Sequence, residues 1–548
     1  MINRNIQLTR WKSFAPALLL LTLAAFGGTA RAIDRDKLRQ SVPLPHLSAN
    51  WNFNFGNQPD APPDEAGARA QIAALEAAPP KTSQELMRLG RLYSQVKDYA
   101  RLEEAYARAV TILREATLDH PDDVTPLSEL SEALQGTGQL PEAEATLRRA
   151  VKIAPQNARV WTKLGQVLLA QAAQTVFPGT NGFSFNFGAT KSFEGLTEAQ
   201  LESRPTPEAT KRAQALFDEA GASYERAVQV APRDPQVYLE RMGFRSSSAF
   251  LGGVLQTLSL RPDEAATLKV AMSNATQAVQ AAFVSPENAA DMQTVARLKP
   301  DDVSANGAAA LTTLFAFLTR NGREFPLKNG LESLPAPVAA LVREAMGRLE
   351  TLAQNGGKNQ VEALEALGGV RFLLKDPSAT DTLRRAVALD PTLTQARELL
   401  TLLLLDAKAF DELVILLKAQ LQREDTTRNH LILAKVYDKM NRPQDVATQV
   451  SAAMERDPND LSANLARFAL LLRADDLAKA NDQLARTAKL LAPPNKPSPT
   501  QTSDFALLTG GFMALSGKTD IAKQLFQRMV AADAQNEDAQ KLLATLSP

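Results

Sequence analysis

Apolar positions along most of the chain follow the period of an amphipathic α-helix, and they fall into pairs of helices joined by short turns. The clearest unit, residues 124–157, has apolar or small residues on two helices around a turn at 136–138, followed by a proline: Leu127, Leu130, Leu134, Ala143, Leu147, Ala150 and Pro155. The same slots recur within residues 427–460, at His430, Leu433, Tyr437, Val446, Val450, Ala453 and Pro458. A unit of about 34 residues that repeats in this way predicts an all-α solenoid of stacked helical hairpins.

These slots resemble the tetratricopeptide repeat, whose first helix has an aromatic residue, a Leu-Gly pair and a Tyr, and whose second helix has Ala, an aromatic residue and Ala before a Pro. Leu89-Gly90 with Tyr93 and Trp161 with Leu164-Gly165 supply the first-helix signature. The small residues at Gly90 and Gly165 would let two helices approach closely. The resemblance implies a right-handed superhelix whose concave face, lined by first helices, binds peptides or partner proteins. By that analogy the groove candidates are Arg91, Gln95, Glu132, Gln166, Lys435, Lys439 and Arg473.

The regularity of the repeat predicts the domain organisation. We expect a signal peptide at 1–32, a partly extended leader at 33–82, an N-terminal array at 83–235 with an insertion at 172–210, a divergent helical segment at 236–358, and a C-terminal array at 359–548 that ends in a capping helix. The middle keeps helical periodicity but loses the Leu-Gly and Ala slots.

The first residues have the features of an export signal. Three basic residues (Arg4, Arg10, Lys12) precede an apolar stretch at 14–26, and Ala30-Arg31-Ala32 forms a small-x-small cleavage site. The stretch is shorter than the roughly 20 residues of a spanning helix, which favours cleavage over an uncleaved anchor. We therefore expect a soluble periplasmic or extracellular protein without stable membrane insertion.

Two aromatic ribbons do not belong to the repeat. Both alternate aromatic with small polar residues and end in Phe-Gly, one in the leader (Trp51, Phe53, Phe55) and one in the insertion (Phe183, Phe185, Phe187). They either pair with each other or lie in the groove as built-in ligands, or else they are independent anchors of two long loops.

Charge and candidate chemistry exclude several classes of function. The 61 basic and 61 acidic residues cancel, which argues against nucleic-acid binding, and the absence of cysteine removes thiolate metal sites and a cysteine nucleophile. The three histidines lie far apart, and none has a metal-ligand spacing. The sequence GFMALSGKT at 511–519 has one residue too many for a phosphate-binding loop, so we interpret 516–518 as a turn between helices. No catalytic, metal or cofactor site is expected.

Two hypotheses of function remain. The first is a non-enzymatic scaffold of the cell envelope or extracellular space that binds other proteins or peptides through its groove. The second is an accessory or regulatory subunit, or an unrecognised enzyme, that uses the aromatic insertion as a platform for a carbohydrate or small ligand.

Overall fold

The computed structural model describes residues 34–46, 65–77, 80, 82–176, 206–260, 266–321, 327, 330–492, 495 and 497–546. Within these ranges the chain forms 24 α-helices, one 3₁₀ turn at Gly330–Ser333 and no β-strand. The predicted all-α solenoid fold is confirmed. Of the described residues, 34–46 and 401–546 belong to one compact unit, and 65–400 belong to another. The domain boundaries expected from the sequence stay predictions.

The helices follow one another with short connections through most of the chain. Up to the middle they are α1 (Arg35–Ser41), α2 (Glu65–Ala77), α3 (Ser83–Gln95), α4 (Tyr99–Asp119), α5 (Val124–Gly136), α6 (Leu140–Ile153), α7 (Ala158–Val176), α8 (Pro207–Val230), α9 (Pro235–Leu260), α10 (Ala266–Phe283), α11 (Pro286–Leu298) and α12 (Val303–Asn321). The remaining helices are α13 (Ala336–Gln354), α14 (Lys358–Leu373), α15 (Ala379–Leu389), α16 (Thr394–Asp406), α17 (Phe410–Leu421), α18 (Thr427–Lys439), α19 (Pro443–Arg456), α20 (Leu461–Arg473), α21 (Leu477–Leu491), α22 (Pro499–Leu515), α23 (Thr519–Ala532) and α24 (Glu537–Thr545).

Glycines in first helices lie against large side chains of second helices. A β-carbon added at Gly90 on α3 would overlap the ring of Tyr106 on α4, and one added at Gly136 on α5 would overlap the other edge of the same ring. The same pairing recurs between Gly165 and Tyr224, Gly368 and Leu383, and Gly510 and Phe526. The close approach of helices expected at Gly90 and Gly165 is therefore present, and it depends on the missing side chain.

The turns inside the hairpins share one backbone conformation. A residue with positive φ follows the first helix at Lys97, Gly138, Lys375, Lys408, Asn441, Asp475 and Gly517. From Lys375 to Asp475 these residues are spaced 33, 33 and 34 positions apart, which matches the period predicted from the apolar pattern. The turn predicted at 516–518 is confirmed, because α22 ends at Leu515 and α23 begins at Thr519.

Four of the connections between helices share a hydrogen bond. In each of the four, a side chain donates to the carbonyl of a proline six residues earlier: Trp161 Nε1 to Pro155 (2.9 Å), Tyr238 Oη to Pro232 (3.0 Å), Asn306 Nδ2 to Pro300 (2.9 Å) and Asn464 Nδ2 to Pro458 (2.9 Å). The bond satisfies a carbonyl that has no partner within either helix. Because Pro300 and Asn306 lie in the segment called divergent, that segment keeps the connection even where its sequence slots are lost.

The structure describes part of the leader but not the signal. Residues 1–32 lie outside the described ranges, whereas the leader contains two helices, α1 and α2, that the sequence pattern did not indicate. In the part of the chain that the structure describes, no helix is both long and apolar enough to cross a bilayer.

Candidate functional site

A stretch of the leader lies across the helices of its own compact unit. We call residues 34–46 the N-terminal segment. It begins as α1, capped by the Asp34 carboxylate, which accepts a hydrogen bond from the Lys37 backbone N–H at 3.0 Å. Pro43 and Pro45 cannot continue this helix, and they keep the residues that follow it extended. The apolar side chains of Leu38, Val42 and Leu44 are all buried.

Four side chains from four helices hold the extended part of the N-terminal segment. They are Lys435 on α18, Arg473 on α20, Asp504 on α22 and Asp538 on α24, and we call them together the segment-binding face. The first three of these helices open the hairpins α18–α19, α20–α21 and α22–α23. First helices are also the elements that the resemblance assigned to the groove.

Two cations of the segment-binding face bind backbone carbonyls of the segment. Arg473 Nε donates a hydrogen bond to the Val42 carbonyl at 2.8 Å, and Lys435 Nζ lies 3.5 Å from the Pro45 carbonyl. Asp438 fixes the Arg473 guanidinium through an ion pair at 2.5 Å. Burial lowers the pKa of the Lys435 ammonium group, against the opposing charges of Asp504 and Asp538. These contacts recognise an extended main chain rather than one particular side chain.

The Asp504 carboxylate is the anchor of the site. The residue is 2% exposed, and one of its oxygens accepts the His46 backbone N–H while the other lies against His46 Nδ1, both at 2.7 Å. His46 Nε2 lies 3.4 Å from Asp538. The hydrogen bond to Asp504 is the largest influence on the pKa of the His46 imidazole and raises it, although burial opposes this. A buried carboxylate is costly unless it is paired, so Asp504 needs an occupant of this kind.

The helical start of the N-terminal segment binds the same unit through its arginines. Arg35 Nη1 donates to the Leu515 carbonyl at the end of α22 at 2.7 Å, and Arg35 Nη2 lies 2.6 Å from Asp475. Arg39 approaches the same carboxylate at 3.5 Å. Asp475 is the positive-φ residue of the α20–α21 turn, so this turn both closes a hairpin and receives the segment.

Of the three groove candidates in the C-terminal array, two contact the N-terminal segment and one is exposed. Lys435 and Arg473 touch the N-terminal segment, whereas Lys439, one turn along α18, is exposed. Sequence reasoning missed the two acids, Asp504 and Asp538, and also His46. Their only signal is the alternation of apolar residues and prolines in Val42-Pro43-Leu44-Pro45 ahead of a histidine, a pattern suited to an extended ligand.

In the other unit, charged groove candidates pair with each other. Arg91 Nε on α3 lies 2.7 Å from Glu132 on α5, and Lys163 Nζ on α7 lies 3.0 Å from the same carboxylate. Burial alone would raise the pKa of Glu132, but the hydrogen bond from Arg91 and the charge of Lys163 outweigh it, so the pKa is lowered. Gln95 and Gln166 are exposed. The predicted face of α3, α5 and α7 is therefore a row of neutralised charges with polar amides.

The other residues that stand out in the sequence have plainer surroundings. Both ring nitrogens of His430 have partners at 2.8 Å, Gln449 and Asp425, as fits a packed histidine. Both aromatic ribbons (Trp51, Phe53, Phe55, Phe183, Phe185 and Phe187) lie outside the described residues, so their role stays a prediction. Among the residues that the structure describes, no cluster of three or more acids and histidines could hold a metal ion.

Comparison with known families identifies the repeat. Residues 100–167, which cover α4 to the first half of α7, match the family model of the tetratricopeptide repeat. This part of the chain is a tetratricopeptide repeat region. Helical hairpins with the same kind of glycine contact and positive-φ turn recur in both units of the protein. No curated protein matches the sequence.

Several solved structures of helical repeat proteins are similar to this chain. Yeast Tom70 is 15% identical, with 88% of this chain and 92% of that chain covered and a TM-score of 0.33. Human IFIT1, solved as a dimer with PPP-AAAA, is 14% identical, with 88% and 90% covered and a TM-score of 0.22. At these TM-scores the likeness supports no statement about the function of this chain.

Proposed function

We propose that this protein is a non-enzymatic scaffold that binds protein partners as extended peptide segments on the first helices of its hairpins. The observation that carries the proposal is the N-terminal segment itself. Arg473 and Lys435 bind its carbonyls, and Asp504 binds a backbone N–H, so the face already binds a peptide main chain. Main-chain hydrogen bonds with pockets for alternate side chains are a common mode of peptide recognition.

We also propose that the protein acts after export, in the cell envelope or outside the cell. The basic, apolar and small-x-small elements of residues 1–32 support this location. Cleavage after Ala32 would leave Ile33 as the first residue, directly before the Asp34 cap of α1. The new N-terminus would then begin with the segment that lies on the segment-binding face.

Site-specific photo-crosslinking in cells that express the full chain tests the binding proposal. A photoreactive amino acid at Gln166 or Lys439, both exposed on first helices, is expected to capture discrete protein partners. The matched control is Asp482, which is exposed on the second helix α21. Equal capture from all three positions, or from none, would contradict a binding face on the first helices.

A further inference from the structure

The segment-binding face treats the N-terminal segment as a ligand rather than as part of a repeat. The segment lies outside the hairpin pattern, and its partners are distant in the sequence: Lys435 is 390 positions from Pro45, and Leu515 is 480 positions from Arg35. It contributes an apolar-Pro-apolar-Pro stretch whose Val42 and Leu44 are buried, followed by a histidine bound to acids. Pro43 and Pro45 lack a backbone N–H, so the extended part offers mainly carbonyls, and its His46 N–H is the donor that Asp504 binds.

The chemistry of the face defines the ligand that fits it. Arg473 and Lys435 require accepting carbonyls at two positions of an extended chain, and Asp504 requires a backbone N–H next to a donor side chain. Asp538, on the far side of His46, adds a second negative charge, while Lys435 is the positive charge nearby. An occupant that ends in a cationic residue is therefore favoured over one that ends in an acidic residue.

From this arrangement we infer that the segment-binding face is a receptor for a partner peptide. The peptide has an apolar-Pro-apolar-Pro stretch followed by a cationic residue. The N-terminal segment competes with this peptide for the same face. The inference rests on the proposed function and specifies its ligand. A segment tethered to its own site competes at an effective concentration on the order of millimolar, so a partner binds fully only when the segment leaves. Partner binding and release of the N-terminal segment are thus coupled.

A labelled synthetic peptide with the sequence of residues 34–46 tests the inference against the full chain. We compare the native protein with the variant Val42→Ser/Leu44→Ser, which removes the apolar contacts of the tethered segment but leaves every residue of the face intact. Fluorescence anisotropy is expected to show binding to this opened variant that is at least about tenfold tighter than binding to the native protein, because the competitor has been weakened. Similar affinities for the two proteins, or no binding to either, would overturn the inference.

Two further changes test the anchor. Asp504→Asn in the opened variant is expected to weaken peptide binding about tenfold or more, whereas Asp482→Asn, an exposed control on α21, leaves it unchanged. A peptide with Lys in place of His46 should bind, and one with Glu should not. Equal binding of the Lys and Glu peptides would contradict the required cationic residue.

A milder variant covers the case in which the opened variant does not fold, as judged by circular dichroism. His46→Ala in the native chain removes only a half-exposed side chain, and it should raise affinity for the labelled peptide several-fold. Unchanged affinity would overturn the inference. If peptide binding fails while photo-crosslinks from Gln166 persist, the ligand inference fails and the scaffold function stands. If neither peptide binding nor photo-crosslinks are found, the ligand inference and the scaffold function are both rejected.

Discussion

Tyr106 shows how single residues define the hairpin stack. Its ring fills the space left by two glycines, Gly90 on the preceding helix and Gly136 on the following one. The aromatic residue and the first glycine were predictable, because they occupy slots of the repeat. The contact with Gly136 was not, because it depends on how two neighbouring hairpins pack and not on the pattern within either.

The ring contact leads to a prediction for Gly90→Ala. Alanine is the better helix former by roughly 1 kcal/mol, but its β-carbon would meet the Tyr106 ring, and overpacking of a core costs about 1–3 kcal/mol. We expect a net loss of up to about 2 kcal/mol in the free energy of unfolding, seen as a lower melting temperature.

The matched control is Gly347→Ala, in the interior of α13, where an added β-carbon has no atom within 4 Å. There the propensity gain is unopposed, and a stability gain of about 0.5–1 kcal/mol is expected. Equal effects at the two glycines would show that the close approach of α3 and α4 does not limit the stability of this hairpin.

At the residue scale the anchor of the site was beyond sequence reasoning. Asp504 and His46 are 458 positions apart, and neither has a motif that marks it. Only the fold brings them together. Lys435 and Arg473 could be named beforehand because a repeat places the same position of every first helix on one face.

At the scale of elements, the hairpins were predictable and the helices of the leader were not. The spacing of apolar residues within a hairpin is enough to predict that hairpin, and the positive-φ turns repeat with the same period. The helix α1 has only seven residues, and its stability comes from packing on α20, α22 and α24 rather than from its own pattern. Its existence is therefore a tertiary effect.

The docking of the N-terminal segment is expected to depend on pH. His46 faces Asp504, Asp538 and Lys435, and the net effect is a pKa above the ordinary 6.5 in the docked state. A raised pKa means that the protonated imidazole favours docking. This contribution is fully present below about pH 6.5 and is lost as the pH rises through the docked pKa.

An NMR titration of the imidazole signals measures this directly. His46 is one of three histidines and is assigned by its loss in His46→Gln. Its midpoint is expected above 6.5, and Asp504→Asn should bring the midpoint down, because the raising hydrogen bond and charge are removed. A midpoint at or below 6.5 in the native chain would show that the acids do not hold a docked His46.

At the scale of the whole molecule, the class of protein was accessible from the sequence, and its internal ligand was not. The repeat and its composition predicted an all-α solenoid, which the structure confirms, and the proposed export rests on residues 1–32 alone. The self-occupied face depends on contacts between the two ends of one compact unit. A local sequence pattern cannot predict contacts between residues that are hundreds of positions apart.

The central claim is that the first-helix face of the C-terminal hairpins holds an extended peptide segment, and an engineered disulfide tests it most directly. Native cysteines are absent, so the pair Val42→Cys and Gly511→Cys provides the only thiols. A β-carbon at Gly511 would lie 3.7 Å from Val42 Cγ2, so the side chains at these two positions are in van der Waals contact, as the partners of a disulfide must be.

The control pair is Val42→Cys with Asp482→Cys, on the exposed side of α21. After mild oxidation of the full chain, mass spectrometry is expected to find the Val42–Gly511 crosslink in most molecules and no crosslink in the control. Full alkylation of both thiols at Val42 and Gly511, with no crosslink, would contradict the account.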